Sequence, residues 1–213
     1  MNEPRVLLRA VKRVENEPYL SLILEITSST KKEKRTLIIP DRVYLELKLS
    51  KGEISTECFD RLDAEARELA AYRRGLSMLG YGACSERRLS QKLTQKGFDP
   101  ENAKHAAAVL KSEGCINEIR DVEREVSAGL RKLWGTRRII ARLYEKGYCD
   151  EAISSARAQL ESVDFPELCA ALIKKRFGVF PTEPKEREKA TAALIRYGYS
   201  LSEIREARKL LSK

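Results

Sequence analysis

Apolar positions alternate along the first quarter of the chain and recur every three to four residues beyond it. Leu20, Leu22, Leu24 and Ile26 alternate with Ser21, Glu25 and Thr27, interrupted only by Ile23, and this period of two predicts a half-buried strand. Arg5 to Val14 forms a preceding strand, across a turn at Glu15-Asn16-Glu17-Pro18. A polar connection from Ser28 to Lys34 leads to a third short strand, Arg35 to Ile39, ended by Pro40. Asp41 is placed to cap a short helix through Leu47, and Lys51-Gly52 ends that segment. The expectation for residues 1–56 is a small three-stranded sheet with one short helix.

From Thr56 the period becomes helical. Cys58 to Leu79 has no proline and carries Leu62, Ala66, Leu69, Ala70, Tyr72, Leu76 and Leu79, with one late glycine at Gly75. This predicts a long helix leading out of the sheet. The chain then repeats. Arg87 to Phe98 aligns with Arg137 to Tyr148 at an offset of 50, and Glu188 to Tyr199 follows 51 residues later. Leu93, Leu143 and Leu194 correspond, as do Leu110, Leu160 and Leu211. Gly97, Gly147 and Gly198 correspond as well, each followed by an aromatic.

Each glycine can adopt the left-handed conformation that closes a helix. The next helix then starts at a capping residue. Asp99 is followed by Pro100 at the favoured first position, and Ser200 with Glu203 makes a capping box. Cys149 is the poorer cap of the three, and Asp150 could take that role. A further helix precedes each glycine helix, over 64–79, about 117–133 and about 164–177. The predicted architecture is mainly α, with three tandem three-helix repeats in an elongated curved array after a small β-rich N-terminal domain. The expected boundaries are 1–56, 57–114, 115–163 and 164–213.

Arg88, Lys92 and Lys96 stand at i, i+4 and i+8 and share one helix face; Arg138, Arg142 and Lys146 occupy the same places one repeat later. Arg87 and Arg137 add to the basic side. In the third repeat these positions become Lys189, Ala193 and Tyr197, while Lys174, Lys175 and Arg176 lie elsewhere. The stripe reads either as an ordinary solvated face or as a contact surface for phosphates or carboxylates. Gln91 and Gln95 are offset from it, which gives little basis for base-specific recognition. Trp134, the single tryptophan, reads as a packing residue.

Charge supports the repeats as the contact region. Residues 1–63 hold 12 Lys and Arg against 11 Asp and Glu, whereas 64–213 hold 29 against 21. No apolar run approaches the roughly 20 residues of a membrane helix, and Met1 to Arg5 lacks a signal-peptide apolar stretch. The expectation is a cytoplasmic protein. Cys58, Cys84, Cys115, Cys149 and Cys169 form no C-x-x-C pair, and His105 is the single histidine, so neither metal nor cofactor is expected. No G-x-x-x-x-G-K phosphate loop is present, and Gly80-Tyr81-Gly82 is too short for a dinucleotide fingerprint. Nothing nominates a catalytic group.

The segments Ser85-Glu86-Arg87-Arg88-Leu89, Lys92-Leu93 and Lys96-Gly97-Phe98, followed by Ala106 to Leu110 before Gly114, resemble the RecX family of bacterial recombination regulators. Gly135-Thr136-Arg137-Arg138-Ile139, Leu143 and Lys146-Gly147-Tyr148 continue the resemblance, which covers about 64–213. The strands look like an extension that some members carry. Where the family usually shows a G-Y-L-D-D string, this chain reads Gly114-Cys115-Ile116-Asn117-Glu118, without the aromatic and one carboxylate.

The resemblance implies a non-catalytic monomer that lies in the groove of the RecA recombinase filament and restrains ATP hydrolysis and strand exchange. It also implies single- or double-stranded DNA as a further partner, since some members bind DNA. The alternative is a nucleic-acid-binding module acting without the recombinase. Under either reading the candidate contact residues are Arg87, Arg88, Lys92, Lys96, Arg137, Arg138, Arg142, Lys146, Lys174, Lys175 and Arg176.

Overall fold

A computed structural model describes residues 5–28 and 31–212. Met1 to Pro4, read above for a leader stretch, lie outside the described residues, as do Ser29 and Thr30 of the polar connection and Lys213.

The alternating segments form β1 (Arg5–Arg13), β2 (Tyr19–Thr27) and β3 (Lys32–Pro40), followed by α1 (Asp41–Glu46) and β4 (Gly52–Ile54). The sheet is antiparallel with order β3-β2-β1-β4. Leu24 pairs with Leu8, and Leu22 with Leu37, so the period-two leucines share one face. That face, with Val6, Ile39, Val43 and Leu62, is the buried core of the sheet region. Each fully buried leucine contributes about 1.5–3 kcal/mol.

Three expectations change here. The sheet has four strands, because β4 is three residues long and too short to show a period. It pairs Ile54 with Val6. The third strand begins at Lys32 rather than Arg35, because Lys32, Glu33 and Lys34 pair with Thr27, Ile26 and Glu25 through the backbone, whatever their polarity. Finally, Pro40 occupies the cap position of α1, and Asp41 is its first helical residue, with no side-chain cap.

Next comes α2 (Thr56–Gly80), capped by the Ser55 hydroxyl, which accepts from Cys58 N. It is followed by α3 (Glu86–Gln95) and α4 (Pro100–Ser112). Gly75 explains how α2 and α4 pack so closely, since a Cβ there would stand 2.7 Å from Leu110 Cδ1. The remaining helices are α5 (Glu118–Arg131), α6 (Thr136–Glu145), α7 (Asp150–Glu161), α8 (Phe165–Phe177), α9 (Pro184–Arg196) and α10 (Leu201–Leu211). The fold is therefore mainly helical after an N-terminal sheet.

The chain divides into two compact units. One runs to Gly82 and adds Leu89–Cys115; the other combines Ala83–Arg88 with Ile116 onward. In the second, Val122, Val126, Ile139, Leu143, Ile153, Leu160, Ile173, Leu194, Tyr199 and Ile204 belong to one core.

The glycine turns recur in detail. Gly97, Gly147 and Gly198 have φ of +90°, +74° and +99°. After each, the aromatic N–H reaches back to the leucine carbonyl: Phe98 to Leu93 at 3.2 Å, Tyr148 to Leu143 at 3.3 Å and Tyr199 to Leu194 at 3.2 Å. This six-residue closure ends the helix without leaving its last carbonyls unmet. Asp99 caps α4, and Ser200 with Glu203 forms a complete capping box on α10. Cys149 is the cap position of α7, without a side-chain cap bond.

Candidate partner-binding surface

On α3, Leu89 and Leu93 are buried, and the register this sets leaves Arg87, Arg88 and Lys92 exposed; Lys96, just past the helix, is exposed as well. No ion pair among the described residues engages these four side chains. They are exposed, solvated charges.

The matching positions on α6 behave differently. Arg138 is half-buried, its guanidinium 4.5 Å from the Trp134 ring centre and 5.0 Å from that of Tyr197. Tyr197 in turn carries Arg176 at 5.3 Å on its ring, and Arg176 lies 5.8 Å from Phe177. Lys132 lies 5.0 Å from Trp134. The result is an alternating ladder of cations and aromatic rings, in which each ring quadrupole attracts its neighbouring charge by about 0.5–1 kcal/mol or more. Lys146 pairs with Glu125, and Arg142 pairs with Glu145 at 3.2 Å. Arg137, Lys174 and Lys175 remain exposed without an ion pair among the described residues.

Equal spacing in the sequence thus conceals unequal roles. Arg138 and Arg176, which stand far apart in the chain, both lie over the Tyr197 ring. Trp134 is half-buried against the core, as its reading as a packing residue predicts; Tyr197, Lys132 and Phe177 are the participants that the basic stripe did not include. The available signal was Tyr197 itself, an aromatic standing at the position that is lysine in both earlier repeats.

Two junctions hold the second unit's helix starts in place. Ser85 Oγ, buried, donates to the Lys146 carbonyl at 2.7 Å and accepts from Arg88 N at 3.2 Å. Fifty residues later Gly135 N donates to the Tyr197 carbonyl at 2.8 Å, and Arg137 N donates to that of Gly198 at 3.3 Å. In both cases the start of one glycine helix rests on the glycine turn of the following repeat. The altered loop contributes too. Glu118 is buried and its carboxylate accepts from Glu86 N at 2.9 Å and Cys149 N at 2.7 Å. The Cys149 position therefore gains an acceptor from another helix in place of its own side chain. Ile116, within the same loop, is buried in the core.

Among the described residues no cluster of three or more His, Cys, Asp or Glu side chains is arranged to hold a metal ion. His105 is exposed, 3.9 Å from Glu68. No disulfide joins the cysteines, and burial pushes the Cys169 thiol up to about 12. Among the described residues no helix is long and apolar enough to cross a membrane.

No family model matches the chain. It is similar to curated proteins called regulatory protein RecX. That of Stenotrophomonas maltophilia strain R551-3 is 32% identical over 142 residues, which are 66% of this chain and 86% of the relative. That of Halorhodospira halophila is 28% identical over 146 residues, 68% of this chain and 90% of the relative. A crystal structure of regulatory protein RecX superposes with a TM-score of 0.73 at 18% identity, covering 96% of this chain and 99% of that one. The RecX of Lactobacillus salivarius superposes with a TM-score of 0.58 at 18% identity over 68% of this chain and 97% of its own.

Proposed function

The chain belongs to the RecX family of regulatory proteins, and from that premise we propose that it is a non-catalytic regulator that binds the RecA recombinase filament and lowers its ATPase and strand-exchange activity. The observation that carries this reading is the set of exposed, unpaired cations on the glycine helices: Arg87, Arg88, Lys92 and Lys96 on the first, Arg137 on the second. Such charges are individually weak, each worth about 0.2–1 kcal/mol. Repeated along a polymer, they add through effective concentration. The helical repeats, taken as 57–114, 115–163 and 164–213, would then supply successive contacts.

The deciding experiment measures DNA-dependent ATP hydrolysis by the cognate recombinase while this protein is titrated in, together with co-sedimentation on filaments. An unchanged rate with no co-sedimentation would overturn the proposal.

Direct binding to single- or double-stranded DNA is a second reading, favoured by the ladder of Lys132, Trp134, Arg138, Tyr197 and Arg176. Interleaved cations and aromatics suit a phosphate backbone with stacked bases. Fluorescence anisotropy at two salt concentrations separates the readings, because phosphate binding weakens steeply as salt rises.

A further inference from the structure

A groove in the sheet region has no part in the reading above. Strand β3 is at the edge of the sheet, and among the described residues no strand pairs with its outer side. Beside it lies a cavity of about 420 Å³. One wall is Arg35, Thr36, Leu37 and Ile38 of β3; the other is α2, through Ala66, Ala70 and Arg67 among others. Successive side chains of a strand point to opposite faces. A cavity that touches four consecutive residues of this edge strand therefore meets backbone as well as the side chains of one face.

Three features of this groove suit an added strand. Its length of strand is nine residues, against three for β4 at the opposite edge. Ala66 and Ala70, at i and i+4, keep the α2 wall low, leaving room for a side chain from an incoming segment. The charge is one-sided. Arg35 and Arg67 share a single buried carboxylate, Asp63, with Arg35 at 2.8 Å. One guanidinium charge is therefore left uncompensated at the groove. Lys32 is already paired with Glu25 at 2.8 Å, Lys34 stands on the face opposite Arg35, and Glu33, on the Arg35 face, is met by Lys31 at 3.5 Å, so that one guanidinium is the groove's own excess charge. Like charges on facing strands oppose pairing, so the basic strand disfavours a second copy of itself and favours an acidic partner.

We propose that the groove between β3 and α2 binds an acidic peptide segment of a partner protein, which adds to the sheet as an extended strand along Arg35 to Ile38. Backbone hydrogen bonds to the edge would supply affinity, and carboxylates meeting Arg35 and Arg67 would supply selectivity.

The test uses the full chain and three labelled nine-residue peptides. The first alternates aspartate and valine, the second alternates lysine and valine, and the third repeats the first with prolines at alternate positions. Binding of the first alone, with amide chemical shifts of Arg35 to Ile38 and of the α2 wall changing on titration, is the expected result. Ala70→Glu should weaken it roughly tenfold or more by placing a like charge in the groove. Because Ala70 is exposed, circular dichroism should show this variant folded. Arg88→Glu/Lys92→Glu should bind the peptide unchanged, which separates this site from the basic stripe and its proposed role. Equal binding of the proline peptide, shifts located elsewhere, or no binding of the acidic peptide at low salt would each overturn the proposal.

Discussion

Gly135 and Gly198 meet backbone to backbone. A Cβ on Gly135 would stand 2.5 Å from the Gly198 carbonyl carbon, and a Cβ on Gly198 would stand 2.5 Å from Arg138 N. Neither obstacle is the end of a flexible side chain, so an added methyl must move the main chain. Gly97 has the same left-handed φ with nothing within 4 Å of its Cβ position. The two glycines therefore separate conformational strain from close approach. Gly97→Ala should cost about 1–2 kcal/mol from φ alone. Gly198→Ala should cost that plus about 1–3 kcal/mol of overpacking. Urea denaturation of the two variants checks the difference.

The ladder gives a spectroscopic handle because Trp134 is the single tryptophan. Arg138→Ala removes the cation held between Trp134 and Tyr197. It should lower stability by about 1–2 kcal/mol and shift Trp134 emission. Arg138→Lys should restore charge but not the flat stacking of a guanidinium, and so recover only part of both effects.

Glu118 accepts from two backbone amides that its own helix does not own. Glu118→Ala should lower stability by about 2–4 kcal/mol, since it removes two hydrogen bonds to a charged acceptor, the stronger kind. Glu118→Gln, which keeps one good acceptor, should lose less. Thermal denaturation of the pair measures the ordering.

Basic residues at matching positions should respond differently to charge reversal. Arg88→Glu and Lys92→Glu should change stability by no more than about 0.5 kcal/mol, as exposed substitutions do. On the proposed function they should still raise the concentration needed for half-inhibition of the recombinase ATPase. Lys146→Glu should instead destabilise the second unit, because it places like charge against Glu125. Denaturation curves measured beside the ATPase titration distinguish the two classes.

Acid should act on the sheet region through Glu25. The Arg9 guanidinium at 2.9 Å and the Lys32 ammonium at 2.8 Å hold its carboxyl down at about 2, from an ordinary 4.5. The folded state thus favours the ionised form. Its contribution is complete above about pH 4.5 and is lost as pH falls toward 2. Glu25→Gln should flatten the pH dependence of unfolding across that window, followed by circular dichroism.

Much of the fold is written in local pattern. The leucine alternation at Leu22 and Leu24, the glycine turns at Gly97, Gly147 and Gly198, and the caps at Asp99 and Ser200 depend on residues within a few positions of one another. Short-range sterics and hydrogen bonding decide them. The strand at Gly52–Ile54 was not legible, because three residues carry no period and only pairing with β1 makes them a strand. The stripe was legible as a set of charges but not as a set of roles. Arg88 and Arg138 stand at equivalent places, yet one is exposed and the other is stacked between rings supplied by distant residues.

By itself the sequence determined where the glycine-closed helices end, which faces turn inward, and that one helical unit recurs. Those properties follow from periodicity and from the conformations that individual residues allow. Only the tertiary structure decided that Gly135 must be small because Gly198 lies against it, that Glu118 serves two foreign amides, and that Tyr197 joins Arg138 to Arg176. Each of these depends on which distant backbone or ring arrives alongside, and no spacing along the chain records that.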